Sequence, residues 1–314
     1  MRKLTRRQFL KLTGLAAASA AFFGAGCTAP AGETGRRTPP DPTGDQAYLA
    51  VARGGDPAAT TTAALAALGG MERFVKSGDD VIIKPNICVN YRTPEYAATT
   101  NPTVVAALVS LCLEAGARQV RVMDTPFPGI PADAAYEVSE IGQAVEAAGG
   151  VMEVMSPVKF VKTSIPDGLD LTEWEVYQDV LDTDVLINVP IAKTHNLARL
   201  SLGIKNLLGV ITRPNQMHGN LGQRAADLAS LVRPTLTVVD AVRILTAGGP
   251  TGGSLNYVQQ ADTVIASHDF VAADAYAATL FDLTGTDIAY VKAAADMGLG
   301  TLDLSSVKVE EINA

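Results

Sequence analysis

The chain has 314 residues, of which 47% are hydrophobic, 18% charged and 5% aromatic; this excludes a disordered polypeptide and requires a core built mainly of Ala, Val, Leu and Ile. The formal net charge is −8, and because residues 1–26 carry five basic residues (Arg2, Lys3, Arg6, Arg7, Lys11) and no acid, the remainder stands at −13. A body this acidic, with no basic run or basic helix, excludes nucleic acid as a partner, since that affinity rests largely on neutralised phosphates.

From Thr5 the chain reads TRRQFLK, followed by an Ala-rich apolar run from Leu12 to Gly26. A charged start, a moderate apolar stretch and then small residues form a secretory signal. The run is too short and too rich in Ala and Gly for a membrane span. Arg6 and Arg7, followed by Phe9-Leu10-Lys11, resemble the twin-arginine export signal. The expected route is therefore the twin-arginine machinery, and the expected location periplasmic or otherwise extracytoplasmic. Gly24-Ala25-Gly26-Cys27 resembles a lipoprotein processing site, where Cys27 becomes the lipidated first residue and anchors the chain to a membrane. Ala29-Pro30-Ala31 is a competing site of ordinary cleavage. Residues 27–46, rich in Pro, Gly and Thr, read as a flexible tether, and residues 47–314 as a single α/β domain.

Within that domain, residues 48–52 predict a first strand and 60–68 a helix closed by Gly69-Gly70. Val81-Ile82-Ile83 is an apolar strand running into Lys84-Pro85-Asn86. After a long polar loop, Asn101-Pro102 supplies an N-cap and a first-turn proline for a helix to Glu114. Residues 120–123 form a strand ending at Asp124, 139–148 a helix closed by Gly149-Gly150, and 151–155 a further strand. Alternation over 158–174 around Pro166-Asp167-Gly168 predicts a hairpin. The apolar run Val185 to Val189 stops at Pro190 and opens into Lys193, Thr194, His195, Lys205, Asn206 and His218. A helix over 220–231, a strand over 236–239 ending at Asp240, and the loop Gly248 to Gly253 follow. A strand over 264–266 leads to His268-Asp269 and a helix over 271–281; a last helix spans 287–297 and a short strand 307–310. Strands that alternate with helices in near-continuous apolar runs predict a mainly parallel, doubly wound sheet with helices on both faces and a small hairpin insertion.

Polar residues recur where these strands end. In an open parallel sheet the carboxyl ends share one edge, and ligands bind there. Lys84 and Asn86, Asp124, Lys193 and His195, Asp240, and His268 with Asp269 are thus expected to converge on one crevice. Three lysines offer positive charge to a carboxylate or phosphate. The backbone of Gly249 and Gly252 can approach such an anion closely, and Asn86 and Asn206 can add hydrogen bonds. His195 and Lys205 are the candidate catalytic groups, His195 as the acid/base near neutral pH, with His218 as a further ligand contact. Asp240 and Asp269 are candidates for a divalent metal. Taken singly, Asp124 and Asp269 also fit the plainer role of helix caps or turn formers.

Several chemistries leave no trace. There is no Gly-x-Gly-x-x-Gly after a strand, no Walker loop and no Gly-x-Ser-x-Gly elbow. Beyond Cys27 only Cys88 and Cys112 remain, too few for a ferredoxin-type cluster of four thiolates. Cys112 sits in an apolar helical stretch and reads as a buried free thiol.

Ile83-Lys84-Pro85-Asn86, Thr100-Asn101-Pro102, Asn188-Val189-Pro190 with Lys193-Thr194-His195, and Gly203-Ile204-Lys205-Asn206-Leu207-Leu208-Gly209, followed by His218, Asp240, Gly249-Pro250-x-Gly252, Asp269 and Ala273-Asp274, together resemble the DUF362 family. The resemblance covers residues 48–310. Some members of that family carry a ferredoxin-like domain whose four-cysteine motifs are missing here. The resemblance implies that these residues form a common site, and it names no reaction. Three readings stay open: a protein that binds and acts on a small anionic ligand, a tethered binding protein without turnover, and a metal-dependent enzyme using His195, His218, Asp240 and Asp269.

Overall fold

A computed structural model describes Thr43 and residues 46–314. The twin-arginine segment, Cys27 and most of the predicted tether lie outside the described residues. The strands are β1 (Leu49–Arg53), β2 (Asp80–Pro85), β3 (Gln119–Val122), β4 (Val151–Met152), β5 (Phe160–Ser164), β6 (Glu173–Tyr177), β7 (Val185–Val189), β8 (Ile191–His195), β9 (Arg199–Ser201), β10 (Leu236–Leu245), β11 (Val258–Ser267) and β12 (Val309–Asn313). The helices are α1 (Pro57–Ala67), α2 (Pro102–Glu114), α3 (Ala132–Val138), α4 (Ile141–Ala147), α5 (Gln178–Asp182), α6 (Gly203–Asn206), α7 (Leu221–Val232), α8 (Phe270–Thr279) and α9 (Ala289–Asp296).

The main sheet runs β12-β1-β11-β10-β7-β2-β3-β4. Strands β10, β7, β2, β3 and β4 pair in parallel, as β1 does with β12, whereas β11 is antiparallel to both neighbours. Successive residues of a strand point to opposite faces, and the two faces carry separate cores. Ile82, Leu186 and Val239 pack with residues of α7, α8 and α9. Val81, Ile83, Val185 and Ile187 pack with residues of α1, α2 and α4 on the other side. Burying one such side chain contributes about 1.5–3 kcal/mol, so a strand apolar on both faces is fixed in the middle of the sheet. Helix starts follow the sequence logic: Asp56 caps α1 through Ala58 N–H, and Asn101 caps α2 through Thr103 N–H, each with proline next in line. The predicted hairpin is the separate antiparallel pair β5–β6. Among the described residues no helix is long and apolar enough to cross a membrane.

Two departures bear on the site. The polar stretch after Pro190 is strand β8, paired with β10 and with β9, where the sequence reads as loop. Proline cannot donate a ladder hydrogen bond, so Pro190 breaks the strand and the chain resumes beside the second half of β10, with a register shift between Asp240 and Leu245. That strand in turn is ten residues long and passes straight through Asp240.

Candidate functional site

The carboxyl ends of β2, β3 and β7 deliver their polar residues to one edge, as the parallel pairing requires. There a cleft of about 420 Å3 is lined by Lys84, Asn86, Asp124, His195, Lys205 and Asn206, with His218 at its exposed side and Phe127, Leu208 and Pro250 among its apolar walls. Lys193 lines a smaller adjoining chamber that shares Asn86, Lys205 and Asn206 with the cleft. Residues more than a hundred positions apart in the chain therefore meet.

Their hydrogen bonds form one network. Lys84 Nζ is fully buried and donates to Asp124 Oδ1 at 2.6 Å, to Pro85 O at 3.0 Å and to Asn206 Oδ1 at 3.2 Å. Burial pulls the Lys84 ammonium down and pushes the Asp124 carboxyl up, and their mutual attraction opposes both shifts. Wherever the proton sits, this pair brings no net charge to the cleft. Asn206 Nδ2 donates to Asn188 Oδ1 at 2.8 Å, and Asn86 Nδ2 donates to Asn206 Oδ1 at 3.0 Å. Lys193 Nζ donates to Asn86 Oδ1 (2.7 Å), Ala98 O (2.6 Å) and Cys88 Sγ (3.0 Å). Three acceptors satisfy three ammonium hydrogens, yet none is a carboxylate.

Lys205 differs. It is half-buried, lines both chambers, and makes no hydrogen bond or ion pair with a described residue. Burial first, and then the charges of Lys193 and Lys84, bring its ammonium from 10.5 down to about 8. The turn that carries it is held from behind by Asp274, which accepts Gly203 N–H at 2.6 Å and Ile204 N–H at 2.9 Å.

His195 Nδ1 accepts the N–H groups of Leu197 and Ala198 at 3.1 and 3.2 Å. That fixes the tautomer with hydrogen on Nε2. Burial, with Lys205, Lys193 and His218 adding positive charge, lowers its pKa to about 3. As it stands His195 is a neutral hydrogen-bond donor, not the acid/base near neutral pH expected from the sequence. The His218 ring lies 6.4 Å from it between centroids and is itself shifted down by burial and Lys205.

The structure does not bring the remaining candidates into the cleft. Asp240 is buried inside β10, where its carboxylate accepts Asn101 N–H and Val242 N–H. Asp269 follows β11, which runs antiparallel to β10 and ends with Ser267 opposite Thr237; the chain there turns away from the cleft into α8. Asp269 caps α8 and accepts the Tyr48 hydroxyl and Thr301 N–H. Neither aspartate lines the cleft, and among the described residues no group of three or more His, Cys, Asp or Glu is placed to hold a metal ion. Gly249 donates to Thr194 Oγ1 and Gly252 to Gly248 O, so their N–H groups serve the loop and leave Pro250 as its contribution to the cleft. Cys88 and Cys112 are free, buried thiols.

The family model described as a domain of unknown function, DUF362, matches residues 81–279. The chain belongs to the DUF362 family. The matched span contains every residue of the cleft network. A thylakoid-associated protein of Synechocystis sp. is 27% identical over 251 residues, covering 74% of this chain and 72% of that one. Among solved structures, the lactate racemase apoprotein of Thermoanaerobacterium thermosaccharolyticum aligns with a TM-score of 0.41 at 12% identity, over 82% of this chain and 58% of that one. A Thermotoga maritima protein aligns with a TM-score of 0.38 at 12% identity, over 72% of this chain and 60% of that one. The DUF362 chain thus spans less than two thirds of either structure's length.

Cys88 and Ser201 line the site without any signal in the sequence, whereas Asn188 and Asp274 enter the sequence reading only through the family resemblance. Asn188 had left a signal, a polar residue inside the apolar run of β7, and Asp274 another, a lone acid in an Ala-rich helix.

Proposed function

We propose that this DUF362 cleft binds a small anionic ligand and moves a proton to or from it. The observation that carries the reading is Lys205, a lysine that faces the cleft with no acceptor among the described residues, beside Lys193, whose charge meets no carboxylate. An anion supplies what both lack. A pKa near 8 lets one amine hold an anion when protonated and take up a proton when neutral. His195 offers its Nε2–H to the ligand, and Lys84, Asn86 and Asn206 hold the frame. The test is a thermal-shift panel of carboxylates and phosphates on wild type, Lys205→Ala and Lys193→Ala. Wild type should be stabilised by at least one class and Lys205→Ala by none; ligand-induced shifts that survive in both variants sink the reading.

A binding protein without turnover is the second reading, favoured by the locked, neutral His195. Saturable binding with no product by mass spectrometry would support it over the first.

Twin-arginine export and anchoring at Cys27 remain part of the proposal, supported by Arg6-Arg7 with Phe9-Leu10-Lys11 and by the Gly-Ala-Gly-Cys stretch. Radiolabelled lipid should attach to wild type and not to Cys27→Ser in a lipidating host; unlabelled wild type removes the anchor.

A further inference from the structure

The chamber that adjoins the cleft is small, about 40 Å3, and has Cys88, Lys193, Ser201, Lys205 and Pro250 in its walls. A single water needs about 10–15 Å3 on this measure, so the space suits a group of about three heavy atoms. It shares Asn86, Cys88, Phe127, Lys205, Asn206 and Pro250 with the main cleft, so a ligand can have its head in one and its body in the other.

Ser201 is the second observation. It is only 8% exposed, and its hydroxyl is a buried polar atom without a hydrogen-bond partner. Buried hydroxyls are nearly always paired, and an unpaired one is unfavourable. Ser201 stands directly opposite Lys193 in the β8–β9 ladder, so the two side chains rise from the same face. Lys193 has spent its three hydrogens on Asn86, Cys88 and Ala98 but keeps its charge. Lys205 has hydrogens to give and no acceptor. Two unused donors on different walls, with an uncompensated lysine beside them, match the two oxygens of one planar anion.

We propose that this chamber is a carboxylate subsite: the ligand is a small monocarboxylic acid whose carboxylate takes the Ser201 O–H and a Lys205 N–H, while its remainder lies in the main cleft against Phe127 and Leu208, beside His195. The inference rests on the anion reading above and narrows it. Phosphate and sulfate, with five heavy atoms each, are too large for the chamber and meet Lys205 only from the cleft. A halide fits the space but uses one contact point where two donors wait.

Calorimetric titration of formate, acetate, propionate, inorganic phosphate, sulfate and chloride into wild type, Ser201→Ala and Lys205→Ala tests it. Acetate and propionate should bind wild type saturably, and Ser201→Ala should weaken them roughly tenfold or more, the worth of a hydrogen bond to a charged group. Unliganded Ser201→Ala should melt no lower than wild type, because the deleted hydroxyl had no partner. Acetate binding unchanged in Ser201→Ala overturns the subsite. Phosphate, sulfate or chloride binding that needs Lys205 but not Ser201, without carboxylate binding, also overturns it and leaves the anion reading intact. If none of these anions binds, both fall.

Discussion

Gly209 lies against Asp124 so closely that a Cβ on the glycine would overlap Asp124 Oδ1 and come within 2.7 Å of Lys84 Nζ. The absent side chain is what lets the segment after Lys205 close over the buried ion pair. Gly209→Ala must either push the pair apart or lift the segment. Overpacking of this kind costs about 1–3 kcal/mol, and separating a buried pair costs more, about 3–5 kcal/mol. Urea denaturation should show a loss in that combined range. A midpoint within error of wild type would mean that the segment relaxes freely and that the contact is not restrictive.

Lys205→Met should separate binding from stability. The folded-state pKa of about 8 lies below the ordinary 10.5. Above 10.5 the amine is neutral in both states and imposes no penalty. Between 10.5 and 8 the unfolded chain takes up the proton and the folded chain does not, so stability is lost as pH falls through that window and is level below 8, where the folded protein carries the charge in a half-buried site near two other lysines. Methionine removes that penalty, so the variant should melt higher than wild type at pH 7, and the gap should close as pH approaches 10.5. Anion affinity runs the other way: wild type should bind more weakly as pH rises through 8, and the variant should not bind. Equal melting temperatures at pH 7 and 10 for both proteins would contradict the buried, unpaired ammonium.

Much of this was legible in the sequence because it depends on local chemistry. Apolar runs specify buried parallel strands, and the carboxyl ends of parallel strands share an edge, so Lys84, Asn86, Lys193, His195, Lys205 and Asn206 could be grouped before any coordinates. Strand direction was not legible. Asp124 and Asp269 both follow apolar strands, yet β3 is parallel and β11 antiparallel to the centre of the sheet, so one aspartate enters the site and the other runs the opposite way to cap α8. Nor can a sequence show which donors are already satisfied. His195 reads as a titrating group until the N–H groups of Leu197 and Ala198 are seen on its Nδ1, and Ser201 reads as one serine among many until its hydroxyl proves to lack a partner.

Asp274 holds the Lys205 turn, and its carboxyl is raised from 3.8 to about 7, burial outweighing the two backbone N–H groups that pull it down. Below 3.8 it is protonated in both states. Between 3.8 and 7 the unfolded chain releases the proton and the folded chain keeps it, so stability falls as pH rises through that window and is level above it. Asparagine resembles the protonated acid. The destabilisation caused by Asp274→Asn should therefore be largest near pH 4, shrink up to pH 7 and then stay constant. A penalty that grows with pH would show that the carboxylate is ionised in the fold throughout.

His195 provides the most direct check on the charge arrangement. Its Nδ1 lone pair is shared by two backbone N–H donors, so protonation there must first displace both, and three neighbouring basic groups oppose the added charge. Nitrogen-15 spectra of imidazole-labelled protein should show a single neutral tautomer with hydrogen on Nε2, unchanged from pH 8 to pH 5. His218 is more exposed than His195 and is shifted down by burial and Lys205, so its ring reports beside His195 in the same spectra. Binding of an anion beside Lys205 should then move the His195 midpoint upward, because the ligand cancels the positive field that holds it down. A His195 that titrates near 6.5 without ligand would remove the locked-donor role and restore ordinary acid/base behaviour to that residue.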